Sequence, residues 1–125
     1  MRMKGILILT TLAFALLFPV ISPAEITDFK EIQAQISEYK AWLDRLGSNG
    51  SRFWVRLDGS KRPHRLFVGD GFLQAEPSDK ERFIEIFSRF LAGHPEKNML
   101  IDIHDSVTGK WIGEYGFGGF RLFQR

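Results

Sequence analysis

The sequence predicts a single α+β domain in the order α-β-β-α-β-β-β, with two helices packed on one face of an antiparallel sheet. Three observations carry this expectation. Two segments repeat apolar residues at helical spacing. Several short segments alternate apolar and polar residues. The polar, glycine-bearing stretches between the last of these are short enough to be hairpin turns.

The domain is expected to begin after an export signal. Arg2 and Lys4 form a positive start, Ile6 to Val20 is almost unbroken apolar sequence, and Ser22-Pro23-Ala24 places small residues where a signal peptidase reads. Residues 1–24 are therefore expected to be removed, with 25–125 as one small domain. The apolar run is short for a spanning helix and carries Pro19 near its end, which favours cleavage over a retained anchor.

Composition narrows the function classes. The formal charge of +2 comes from 17 basic and 15 acidic residues, and Arg2 and Lys4 supply the whole excess. The domain from residue 25 is thus close to neutral, which argues against nucleic acid as a partner. With no cysteine there is no disulfide, thiolate metal site or catalytic thiol. The domain must hold itself by packing, and 12 Phe, three Trp and two Tyr supply the bulk, only Phe14 and Phe18 lying before residue 25.

The first helix is predicted over about Asp28 to Leu46. Phe29, Ile32, Ile36, Tyr39, Leu43 and Leu46 draw one apolar stripe. Thr27 suits the N-cap and Gly47 the C-cap. The stripe also has the spacing of a short coiled-coil seam, but packing on the domain's own sheet is the better reading.

Two strands follow. In Arg52 to Leu57, Phe53, Val55 and Leu57 alternate with Arg52, Trp54 and Arg56. The return strand runs from His64 to Val68, with Phe72 and Leu73 expected to continue it. The second helix opens at Ser78-Asp79-Lys80-Glu81, which reads as a capping box. Phe83, Ile84, Ile86, Phe87, Phe90 and Leu91 give it a wide apolar face, and Gly93 and Pro95 end it.

The last segment reads as a meander. Met99 to His104 and Trp111 to Phe117 are strands joined by an Asp105–Lys110 turn with Gly109 at positive φ. Gly118-Gly119 then turns the chain into Phe120 to Phe123. A bulged register sets Ile101 opposite Tyr115, Asp102 opposite Glu114 and His104 opposite Ile112. It places Met99, Ile101, Ile103, Trp111, Tyr115 and Phe117 on the core face.

That register creates the one constellation with chemistry in it. Asp102, His104 and Glu114 project from the non-core face, joined by Arg121. Arg52, Arg56 and Arg65 take the corresponding face of the first hairpin, interleaved with Trp54 and Phe67. The leading expectation is a non-enzymatic, periplasmic or secreted binding module. Trp54 and Phe67 anchor a protein or envelope component, and the arginines orient it. The alternative is a small hydrolase or metal-dependent protein using Asp102, His104 and Glu114. A plain solvated face with cross-strand ion pairs is the background to both. A homodimer through the first helix, or through the edge strand Phe120–Phe123, is a further expectation.

Nothing else in the chain points to catalysis. No serine sits in a G-x-S-x-G elbow, and Gly116, Gly118 and Gly119 precede no helix, so they form no phosphate loop. His64 is expected near the surface, and His94 is expected to cap the end of the second helix. With Asp102–His104–Glu114 set aside, the chain implies no cofactor.

Overall fold

The computed structural model describes residues 28–48 and 50–123. The expected signal segment and Thr27 lie outside the described residues. Within them the elements are α1 (Phe29–Leu46), β1 (Trp54–Asp58), β2 (His64–Val68), α2 (Asp70–Leu73), α3 (Pro77–Ala92), β3 (Ile101–Asp105), β4 (Trp111–Gly116) and β5 (Gly119–Leu122). They form one α+β domain, with strands side by side in sequence order. None of these helices is long and apolar enough to cross a membrane.

The sheet is mixed, which corrects the antiparallel expectation. β2 and β3 run parallel, while β1–β2, β3–β4 and β4–β5 are antiparallel. A parallel pair needs a long crossover to bring the chain back to its starting end. Residues 69–100 provide it, with α3 as the returning element.

Both long helices pack on one face of this sheet. Tyr39, Leu43 and Leu46 of α1 and Phe83, Ile84 and Phe87 of α3 form one buried cluster with Leu66, Val68, Ile101 and Ile103. The rings of Phe53, Phe72 and Phe87 each meet Phe83 at centroid distances of 5.3–5.9 Å. Offset and edge geometries of this kind fit the charge distribution of aromatic rings. Only the second half of the α1 stripe is used fully. Phe29 is 67% exposed, and Trp42 joins the buried face instead.

Two bulges set which side chains reach this core. In β1, Trp54 pairs with Val68 but Arg56 pairs with Phe67, so Val55 is an extra residue. The bulge shifts the alternation by one. Trp54 therefore turns inward, where sequence alternation had placed it outward. Its Nε1–H donates to the Leu43 carbonyl at 2.7 Å, and its ring stands edge-on to Phe87 at 5.1 Å. In β4, Ile103 pairs with Gly113 and His104 with Trp111, so the second bulge sits at Trp111–Ile112. The expected pairs Ile101–Tyr115 and Asp102–Glu114 are present, but His104 meets Trp111 rather than Ile112. Trp111 is thereby moved off the core face. Phe117, also expected inside, is fully exposed in the β4–β5 turn. That turn is Phe117–Gly118, one residue earlier than expected, with Gly119 at φ +90° after it.

Several local expectations change for identifiable reasons. Gly47 ends α1 at φ −84°, not in the left-handed region. A β-carbon there would lie 2.9 Å from the Trp54 ring, so space and not handedness calls for glycine. Phe72 and Leu73 form the helical turn α2 instead of extending β2. The segment crosses the entry to β1, where a β-carbon on Gly71 would lie 1.9 Å from the Ser51 carbonyl oxygen. α3 starts one residue before the expected box, with Pro77 in its first turn and no side-chain cap. Gly93 closes α3 at φ +71°. Among the described residues the His94 ring caps no carbonyl; its Nδ1 accepts the Glu96 N–H at 3.0 Å. His64 is half-buried.

A polar clamp ties α3 to the segment that leads into β3. The Ser88 hydroxyl donates to the Met99 carbonyl at 2.6 Å and accepts the Met99 N–H at 2.7 Å, and Ser88 is fully buried. Ser88→Ala leaves both Met99 groups without that partner and is expected to cost about 1–3 kcal/mol. Trp54→Ala removes a packed ring as well as a hydrogen bond and is expected to cost about 3–4 kcal/mol. Trp54→Phe keeps most of the packing and is expected to lose only about 1 kcal/mol. Urea unfolding followed by tryptophan-independent circular dichroism reads all three. A Trp54→Ala loss no larger than that of Trp54→Phe would place the indole outside the core.

Candidate interaction face

The face away from the helices carries two rows of side chains that cross the sheet. The first is Asp58, Arg65, Asp102, Glu114 and Arg121, one residue per strand from β1 to β5, each paired in register with the next. Residues in register share a face, so five ionisable side chains stand in line. Arg65 meets Asp58 at 2.6 Å, and Arg121 is ion-paired with Glu114. Among the described residues Asp102 has no such pair.

The second row lies one pleat further along. Arg56, Phe67, His104 and Trp111 occupy neighbouring strands in register. The Arg56 guanidinium lies 3.8 Å from the centre of the Phe67 ring, and the His104 ring lies 5.1 Å from it on the other strand. These neighbours leave Phe67 only 8% exposed, although it stands outside the main buried cluster. Trp111 remains 48% exposed and meets Phe123 edge-on at 4.8 Å. Arg121 in turn lies 5.5 Å from the centre of the Phe123 ring. The row therefore sets a guanidinium at one edge beside three aromatic rings, and half of the largest ring faces solvent.

The electrostatics of the charged row follow from its order. The Asp58 carboxyl accepts from the Ser60 hydroxyl, the Ser60 N–H and Arg65, which hold it well below the ordinary carboxylate range. Asp102 behaves oppositely. Burial pushes its carboxyl up, and Glu114 adds to this, while His104 and Arg65 pull it back. The His104 Nδ1 lies 3.1 Å from the Gly109 carbonyl oxygen, which can only accept, so Nδ1 is the donor in this contact.

The residues named from sequence divide cleanly. Arg56, Arg65, Phe67 and Arg121 stand together on this face. Trp54 does not, for the reason given by the β1 bulge. Arg52 does not either: it precedes β1 at φ +48°, and its Nε pairs with Asp70 at 3.2 Å. Asp102 and Glu114 are opposite each other as expected, with His104 one row away. Yet among the described residues no three His, Asp or Glu side chains are grouped to hold a metal ion. Glu114 is engaged by Arg121 and the His104 Nδ1 by a carbonyl. Alternation missed Asp58, Trp111 and Phe123. Asp58 lies one residue beyond the expected end of the first strand, and Trp111 changes sides through a bulge.

Two surface grooves lie elsewhere. One of about 480 Å³ runs beside the start of α1, lined by Phe29, Ile32 and Ile36. Another of about 380 Å³ adjoins the β4–β5 turn, lined by Leu100, Tyr115 and Phe117. Comparison with protein-family models, with curated proteins and with solved structures finds no match for the chain.

The raised carboxyl of Asp102 makes a signed prediction. The folded state binds this proton more tightly than the unfolded chain, so its contribution favours folding at low pH. It is lost as pH rises through about 4, the unfolded carboxyl value, and beyond. Asp102→Asn should therefore raise Tm at pH 7 by about 1–3 °C and leave it unchanged near pH 3, in dilute protein. A lower Tm at pH 7 would mean that the anion is favourably paired.

Proposed function

We propose that this chain is an exported, non-enzymatic interaction module that binds its partner through the outer sheet face. The observation that carries the reading is the aromatic strip on the outer face, where Trp111 is 48% exposed and stands edge-on to Phe123. The described helices pack on the opposite face. Half-exposed tryptophan beside arginine is also the composition that protein interfaces favour. Export is supported by the sequence pattern of residues 1–24.

Site-specific photo-crosslinking in the chain's own host tests the face. A photoreactive residue at Trp111 should give one discrete adduct that weakens at least five-fold in an Arg56→Ala background. The same residue at Lys40, exposed on α1 in an i,i+4 pair with Asp44, should give none. Equal adducts from both positions, or none from Trp111, would remove the proposal. The export half is read separately: intact mass from the exported fraction should place the N-terminus at Glu25, and retention of residues 1–24 would remove it.

A further inference from the structure

We infer that the occupant of the outer face is a second copy of this chain, docked face to face about a two-fold axis along β3. The inference rests on the reading of this face as an interaction surface and gives that surface a partner. It comes from the order of signs in the charged row. From β1 to β5 the row reads negative, positive, negative, negative, positive, in Asp58, Arg65, Asp102, Glu114 and Arg121.

Turning a second copy over about the middle strand reverses that order. Asp58 then faces Arg121 of the partner subunit, and Arg65 faces Glu114 of the partner subunit. The two reciprocal pairings follow from symmetry. Four of the five positions thus meet an opposite charge, and each is already held in a defined place by its ion pair within the chain. In the adjacent row Arg56, on the outermost strand, faces Phe123 of the partner subunit, a cation against a ring. Trp111 comes over the partner's Phe67, whose ring is already covered by Arg56 of its own chain. His104, on β3, meets its own copy on the axis.

The fifth position is the cost. On the axis Asp102 meets its own copy, and among the described residues it is the one member of the row without an ion pair. Like charges facing each other oppose the contact. The dimensions also limit it. Five strands about 4.8 Å apart and four to six residues long give a contact well below the ~800 Å² per partner of a standard interface. The dimer is therefore weak and reversible, with a dissociation constant on the order of 10–100 μM.

Sedimentation velocity on the intact chain as isolated from its host tests this. Wild type should pass from monomer to dimer between about 5 and 300 μM, the range set by that affinity. Asp102→Asn should tighten the dimer about five-fold by removing the clash on the axis. Arg121→Glu, exposed at the sheet edge, should weaken it at least ten-fold while Tm stays within a few degrees. The quadruple exchange Asp58→Arg, Arg65→Glu, Glu114→Arg and Arg121→Glu keeps every pair within the chain and every pair across the axis. It should self-associate as wild type does and fail to mix with it. A wild type that stays monomeric throughout, or an exchanged variant that mixes freely with wild type, overturns the inference. A monomeric wild type whose Trp111 crosslinks to a different protein overturns self-pairing and leaves the interaction face standing. If Trp111 crosslinks to nothing, both fall.

Discussion

The extra residue at Val55 is the constraint on which the rest of this molecule depends. A strand has two faces, and one inserted residue exchanges them from that point on. Before the insertion, Trp54 points to the helices; after it, Arg56 points away and Leu57 points back. The indole then does two things at once. Its ring packs on Phe87 of α3, and its N–H holds a carbonyl near the end of α1. One side chain on the edge strand thereby ties both helices to the sheet. Gly47 follows from the same placement, since the ring occupies the space a β-carbon would need. On the other face the bulge delivers Arg56 over Phe67, which a regular strand would not do.

The second bulge has the complementary effect. It takes Trp111 out of the core, where the small Gly113 faces Ile103, and stands it beside Phe123. Large aromatic residues are thus divided between two jobs by two single-residue insertions. Those on α3, and Phe53, Phe72 and Trp54, hold the fold together. Phe67, Trp111 and Phe123 form an outer strip whose neighbours are His104 and two arginines. A molecule without cysteine can spend aromatic side chains on its surface only if the inner set suffices, and the ring contacts around Phe83 indicate that it does.

Much of this was legible in the sequence, and what was not has physical causes. The helical stripe from Phe29 to Leu46, the apolar face of Phe83 to Leu91 and the element order all follow from periodicity. So does the Asp102–Glu114 pairing, because Gly109 at φ +76° sets the length of the turn that precedes it. The parallel crossover was not seen, because a strand, a helix and a strand in succession serve either topology. The length of residues 69–100 was the available hint. The face of Trp54 was misassigned because strict alternation was carried through Phe53, Trp54 and Val55. Three apolar residues in a row, followed by a polar–apolar alternation out of phase with them, are the local signature of a bulge. The outer rows were half visible: Arg65, Asp102, Glu114 and Arg121 came from register, while Asp58 required the exact end of β1.

The outer face also poses a thermodynamic question that its own composition answers. Exposed ion pairs contribute little, so exchanging Asp58–Arg65 and Glu114–Arg121 within the chain for equivalent pairs across an interface is close to neutral. The charges therefore cannot supply the affinity of any complex formed here. They decide which arrangement is allowed, because a shifted or rotated copy sets like charges together. Affinity must come from the apolar surface removed from water, and on this face that surface is Trp111 and Phe123, with Phe67 already largely covered by Arg56. A charged row for orientation beside a narrow aromatic row for affinity is an arrangement suited to selective, short-lived contact. Within one chain Asp58–Arg65 and Glu114–Arg121 are already paired, which keeps those four side chains in fixed places on the face.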